Sequence, residues 1–207
     1  LQAAFCGALV VEGDSDFYCC VGLQAPSNFE LRDINLITKA ESSGSISTIT
    51  SGLSSCKFVN VKINGNRAQQ TKPIVNAITL QGESHKVLDC EAYDVKGSAL
   101  SLIPPFDYGV IKNNYFHDLD RRGITHELSL TTPSKGSLIQ GNIIKNTGIT
   151  AVSLISGEES NGESSAGVID WTIDNNYVES TGLLTAAGSI GGYSANNLRL
   201  TISNNKS

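Results

Sequence analysis

The sequence predicts an all-β fold, a single-stranded right-handed parallel β-helix of about seven coils of roughly 28 residues each. Three observations predict it. Short apolar strands repeatedly run into Asp, Asn or Gly and then resume. A Gly opens a further alternating strand in most repeats. Helical periodicity is weak, and helix formers never accumulate over a full helical window.

The first marker occurs in Leu31-Arg32-Asp33-Ile34, Phe58-Val59-Asn60-Val61 and Val87-Leu88-Asp89-Cys90. It returns in Ile111-Lys112-Asn113-Asn114, Ile139-Gln140-Gly141-Asn142, Ile173-Asp174-Asn175-Asn176 and Ile202-Ser203-Asn204-Asn205. The second marker is Gly97, Gly123, Gly148 and Gly182; Gly44 fits as well, and Asn76 fills the slot in its own coil. Each coil must bend sharply between strands without a helix. A residue at positive φ makes such a bend, and Gly, Asn and Asp tolerate it best. Between markers, Val, Ile, Leu and Thr alternate with period two, as half-buried strands do. One coil cannot bury its apolar face, but stacked coils can, with equivalent residues about 4.8 Å apart. An antiparallel sandwich or jelly roll also uses short strands and turns. The constant order of the two markers favours the solenoid.

Composition narrows the function. At 40% hydrophobic and 17% charged, the chain of 207 residues is an ordered protein with enough length for one sizeable core. It reads as one domain, 1–207. Methionine is absent, so residue 1 is not a translation start, and the expectation is an excerpt of a longer chain with flanking or capping parts. The net charge is −5, and no basic cluster exceeds Arg121-Arg122, which speaks against nucleic acid. No apolar run approaches the roughly 20 residues of a membrane span. The five cysteines, Cys6, Cys19, Cys20, Cys56 and Cys90, fit no zinc spacing and read as buried free thiols. Unpaired thiols suit assembly in a reducing cytosol, as for a virion component.

A β-helix keeps its interior for packing, so chemistry belongs on an outer face walled by loops. Three stretches read as such loops: Leu102 to Gly109, Leu130 to Gly136 and the acidic Ser156 to Gly167. The densest candidate runs from His117 to Glu127, with three carboxylates, two guanidiniums and two imidazoles in eleven residues. By alternation Thr125 and Glu127 point outward and His126 inward, unless the strand bulges. Glycoside hydrolysis needs two carboxylates, and the strand ladder supplies Glu127 alone, so Asp107 or Asp120 would have to join it. Uronan elimination or epimerisation needs a base and cations beside the uronate, roles open to Arg121, Arg122, His126, Tyr108 and His117. The expected catalytic set is therefore Glu127, Asp107, Asp120, Arg122 and His126. The expected substrate-binding set is Tyr108, His117, Arg121, Thr125 and Arg67. No metal ligand set stands out. Calcium is conceivable at the acidic loops, although no EF-hand or nonapeptide pattern is present.

The stretch from Val61 to Leu128 resembles the parallel β-helix modules of mannuronan C5-epimerases and related polysaccharide lyases of the pectin lyase-like superfamily. Ile63-Asn64-Gly65-Asn66-Arg67-Ala68-Gln69-Gln70, Val95-Lys96-Gly97-Ser98-Ala99-Leu100 and Asn114-Tyr115-Phe116-His117-Asp118 carry the resemblance. The Ile-Asn-Gly-Asn-Arg turn is also similar to bacteriophage tailspike β-helices. The resemblance implies the fold and a polysaccharide partner. Where epimerases carry Asp-Pro-His after the equivalent Gly, this chain has Ser101-Leu102-Ile103.

Two functions follow as expectations. One is an extracellular or virion-surface protein that binds a polysaccharide and degrades or modifies it, as a lyase, hydrolase or epimerase. The other is a non-catalytic structural or adhesive β-helix, such as a tailspike or fibre segment, for which a homotrimer is the natural assembly. Ice or surface binding is a lesser alternative, with Thr79, Thr125 and Thr150 as the stack it would need.

Overall fold

The computed structural model describes residues 10–12, 16–19, 23–24, 28–38, 47–51, 54–70, 75–126, 132–155, 167–182, 190–193 and 199–207. The chain is a right-handed parallel β-solenoid with three strands per coil and almost no helix. Every pairing among these strands is parallel. About four turns are complete, rather than the seven that the sequence markers suggest. These four turns, in residues 57–155, have all three strands described. The ladders run on past both sides, where Ser47–Ser51 and Ile190–Tyr193 continue the third sheet.

Three inward columns make the core. On the first sheet Leu31, Phe58, Val87, Ile111, Ile139 and Ile173 stack in register. The second sheet stacks Leu36, Ile63, Ala92, Phe116, Ile144 and Val178. The third stacks Ile78, Leu100, Ile124 and Val152. All are buried, and the rung spacing of about 4.8 Å brings each side chain against its neighbours above and below.

The bend between the first two strands follows the sequence closely. Asp33, Asn60, Asp89, Asn113, Gly141, Asn175 and Asn204 all have φ between 51° and 66°. The next residue in each turn points inward, and in four successive coils it is asparagine. Asn114, Asn142, Asn176 and Asn205 form a column. Each Nδ2 donates to the Oδ1 of the next at 2.9 Å. That same Oδ1 accepts a backbone amide at 2.9–3.0 Å. Each Nδ2 also reaches a carbonyl of the adjoining first strand, as Asn142 does to Ile111 at 3.1 Å. Cys90 caps the column by donating its amide to Asn114 Oδ1 at 2.9 Å. A buried amide pays for itself only when fully paired, and here it is.

At Gly182 the second marker takes the expected positive φ of 70°, but at Gly97 and Gly123 it works by a different cause. Gly97 and Gly123 are not at positive φ. A Cβ on Gly97 would stand 2.7 Å from the Val75 carbonyl oxygen, and one on Gly123 would stand 2.6 Å from that of Ala151. Close approach of neighbouring coils demands glycine there. The stretch 102–109 is also not a loop. It continues the strand Leu100–Asp107, whose register jumps across Pro104-Pro105 as a bulge. Cys56 and Cys90 are free and buried, as expected, and burial pushes the Cys90 thiol up to about 12. Cys6 and Cys20 lie outside the described residues.

Candidate functional site

On the second sheet, alternation sends one column outward beside the asparagine turn. It reads Asn35, Lys62, Glu91, Tyr115, Ile143 and Tyr177, each paired in register with the next. Six rungs make a row about 24 Å long. Tyr115, Ile143 and Tyr177 are 38%, 42% and 41% exposed, an unusual grouping of large apolar side chains. Two hollows open over this row. One, of about 340 Å³, is lined by Asp33, Asn35, Asn60, Lys62, Asp89, Glu91, Asn113 and Tyr115. The other, of about 260 Å³, is lined by Tyr115, Ile143, Lys145 and Tyr177. Tyr115 belongs to both, so they form one groove along the solenoid axis.

A parallel outward column holds Tyr93, His117, Lys145 and Glu179. The His117 ring stacks on Tyr115 at 4.2 Å and on Tyr93 at 5.4 Å between centroids. Its Nε2 faces Glu91 Oε1 at 3.1 Å, and its Nδ1 faces Asp118 Oδ2 at 2.7 Å. Lys62 pairs with Glu91 at 2.9 Å and lies over the Tyr93 ring at 5.3 Å. Lys145 repeats the arrangement, with Glu179 at 2.8 Å and the Tyr177 ring at 5.4 Å. Burial tends to raise the Glu91 carboxyl, but hydrogen bonds from Lys62 and His117 outweigh it and hold it below its ordinary value. Hydrogen bonds from His117 and Asn146 lower Asp118, and Lys145 lowers Glu179. Among the described residues, every carboxyl with a displaced pKa moves down. A general acid for glycoside hydrolysis needs the opposite shift. The imidazole of His117 bridges Glu91 and Asp118.

The structure gathers some of the expected residues here and disperses others. His117 is central. Arg67, in the single turn Arg67–Gln69, ties the second-to-third bend together, reaching Asp94 at 3.2 Å and Asp120 at 3.0 Å. Arg121 and Arg122 are half-buried at that bend, where the Arg121 amide donates to Gly97 O at 3.2 Å and Arg122 O accepts from the Ala99 amide at 3.0 Å. Asp107 and Tyr108 lie at the other end of the third strand, roughly 20 Å away. Asp107 accepts the Lys135 amide at 2.7 Å, and Tyr108 occupies a left-handed turn. The structure therefore separates Asp107 from Asp120 and Arg122. Thr125 is buried in the third-strand column Thr79, Ser101, Thr125 and Ser153. Ser153, and not Thr150, is its partner in that column. His126 faces the interior, 2% exposed, edge-on to Trp171 at 5.2 Å with Nε2 on Ser134 Oγ at 2.8 Å. Burial lowers its pKa to about 4. Glu127 lies outside the described residues.

The groove residues were missed in the sequence, although a signal was present. Every one sits two positions after a left-handed turn marker: Asn35 after Asp33, Lys62 after Asn60, Glu91 after Asp89, Tyr115 after Asn113, Ile143 after Gly141, Tyr177 after Asn175. Stacking the markers and reading down the second column yields the row.

No protein-family model and no curated protein sequence matches the chain. Solved structures do. The A-module of Azotobacter vinelandii mannuronan C-5 epimerase AlgE6 superposes with a TM-score of 0.56 at 14% identity, over 96% of this chain and 67% of the module. The AlgE4 A-module gives 0.54 at 12% identity, over 96% and 68%. The catalytic domain of a GH87 α-1,3-glucanase in complex with tetrasaccharides gives 0.48 at 10% identity, over 96% and 48%. The chain thus spans about half of the glucanase domain and about two thirds of each epimerase module. At these identities the shared feature is the fold, and the resemblance read from the sequence extends that far.

Proposed function

We propose that the chain is a polysaccharide-binding β-helix that holds a linear glycan along the second sheet. The observation that carries this reading is the in-register row Tyr115, Ile143 and Tyr177, exposed at the floor of an open groove. Sugar rings present flat C–H faces that pack on aromatic rings, and their hydroxyls pair with polar groups at the rim. A polymer matches a site that repeats rung by rung. The two epimerase modules of the same fold act on a polysaccharide, which agrees with a polysaccharide ligand for this chain. The setting that fits is outside a cell or on a virion surface, either as a polysaccharide-modifying enzyme or as an adhesive segment of a tailspike or fibre.

The test is affinity electrophoresis through gels carrying neutral and acidic polysaccharides, with release of new reducing ends followed in parallel. Retardation by at least one polymer, lost in Tyr115→Ala and Tyr177→Ala, is the expected result. If no polymer retards the chain, or if both variants run like the parent, the reading fails. Turnover that disappears in Glu127→Gln and Arg122→Ala would assign the enzymatic form to those residues.

A further inference from the structure

We infer that the groove takes an uncharged glycan and rejects acidic polysaccharides, an inference that rests on the binding reading above. A uronate polymer needs cations to meet its carboxylates, because desolvating one without a partner is costly. Within the two outward columns, three cationic or imidazole side chains are already engaged. Lys62 is held by Glu91 at 2.9 Å, Lys145 by Glu179 at 2.8 Å, and His117 stands between Glu91 and Asp118. Both lysines also lie over tyrosine rings. Lys206 extends the row beyond Tyr177. Between Lys62 and Glu179, a polyanion would have to displace protein carboxylates from their partners and then sit beside them.

The remaining polar lining points the same way. Asp33 and Asp89 set two carboxylates at the first hollow beside the amides of Asn60 and Asn113, and the Asn60 Nδ2 already donates to Asp33 Oδ1 at 2.6 Å. Such a surface seeks donors and repels negative charge. The hydroxyls of a neutral sugar supply O–H donors and add no charge. The apolar half of the groove, from Tyr115 to Tyr177, then takes the ring faces. One polymer engages both halves, since they share Tyr115.

The experiment compares dissociation constants for soluble neutral oligosaccharides with those for oligouronates of similar length, in low and high salt. The neutral probes are gluco- and manno-oligosaccharides; the acidic ones are oligomannuronate and oligogalacturonate. The expected result is binding of a neutral probe that changes less than about twofold with salt. Tyr115→Ala should weaken it by about tenfold. The double variant Glu91→Gln, Glu179→Gln frees both lysines, so it should acquire oligouronate binding in low salt that fades in high salt. Circular dichroism confirms that the variants are folded. Oligouronate binding by the unmodified chain, alone or only with added calcium, overturns the inference while leaving the glycan reading standing. Failure of the double variant to gain oligouronate affinity also overturns it. Absence of binding to every probe overturns both.

Discussion

On the second sheet the outward column carries half-buried Glu91 and then Tyr115, Ile143 and Tyr177, large side chains open to solvent. On the third sheet the equivalent column carries Thr79, Ser101, Thr125 and Ser153, small hydroxyl side chains that are all buried. Both columns arise from the same period-two alternation, and both stand opposite an apolar inward column. Alternation decides which side chains leave the core. It does not decide whether they reach water. One sheet of this solenoid presents a surface, and another keeps its outer side closed.

Matched substitutions would break or sharpen this contrast. Ser101→Arg places a charge in a site 2% exposed and should lower unfolding free energy by about 3 to 5 kcal/mol in urea titration. Ile143→Arg, on the second sheet, should change it by no more than about 0.5 kcal/mol. Equal effects at the two positions would erase the distinction.

The histidines contrast the core with the surface. The folded chain resists protonation of His126, which unfolding would release to its ordinary value of 6.5. Its contribution is complete above pH 6.5 and is lost as pH falls toward about 4, up to about 3 kcal/mol. Burial lowers His85 as well, and it acts in the same direction. His126→Phe should flatten the fall in thermal midpoint between these two pH values. An unchanged slope would remove His126 from the account.

The smallest effect belongs to the exposed pair Lys145–Glu179. Lys145→Gln should leave the unfolding midpoint in place, because exposed ion pairs stabilise little. A measurable loss would mean that the outer face of the second sheet contributes to folding.

Much of the fold was legible because turn chemistry is local. The seven residues read as turn markers, from Asp33 to Asn204, all adopt the left-handed conformation. The role of Gly97 was read correctly in place but not in cause, since the clash it avoids comes from a residue in another coil. The inward turn of His126 was also foreseen from alternation. The site was less legible. The density of charges between His117 and Glu127 points to a single site, yet that run crosses a bend. Its members diverge: His117 goes to the groove, Asp120 to Arg67, and His126 to the core. The row from Asn35 to Tyr177 is dispersed over more than a hundred residues, and only register assembles it.

The asparagine column acts as a ruler for insertions. Asn142 and Asn176 are 34 positions apart and Asn114 and Asn142 are 28, yet the same amide contact joins both pairs. The extra length is taken up elsewhere in the coil, and Ile143 still faces Tyr177. A coil of this ladder can therefore lengthen at modest entropic cost while the row from Asn35 to Tyr177 keeps its spacing.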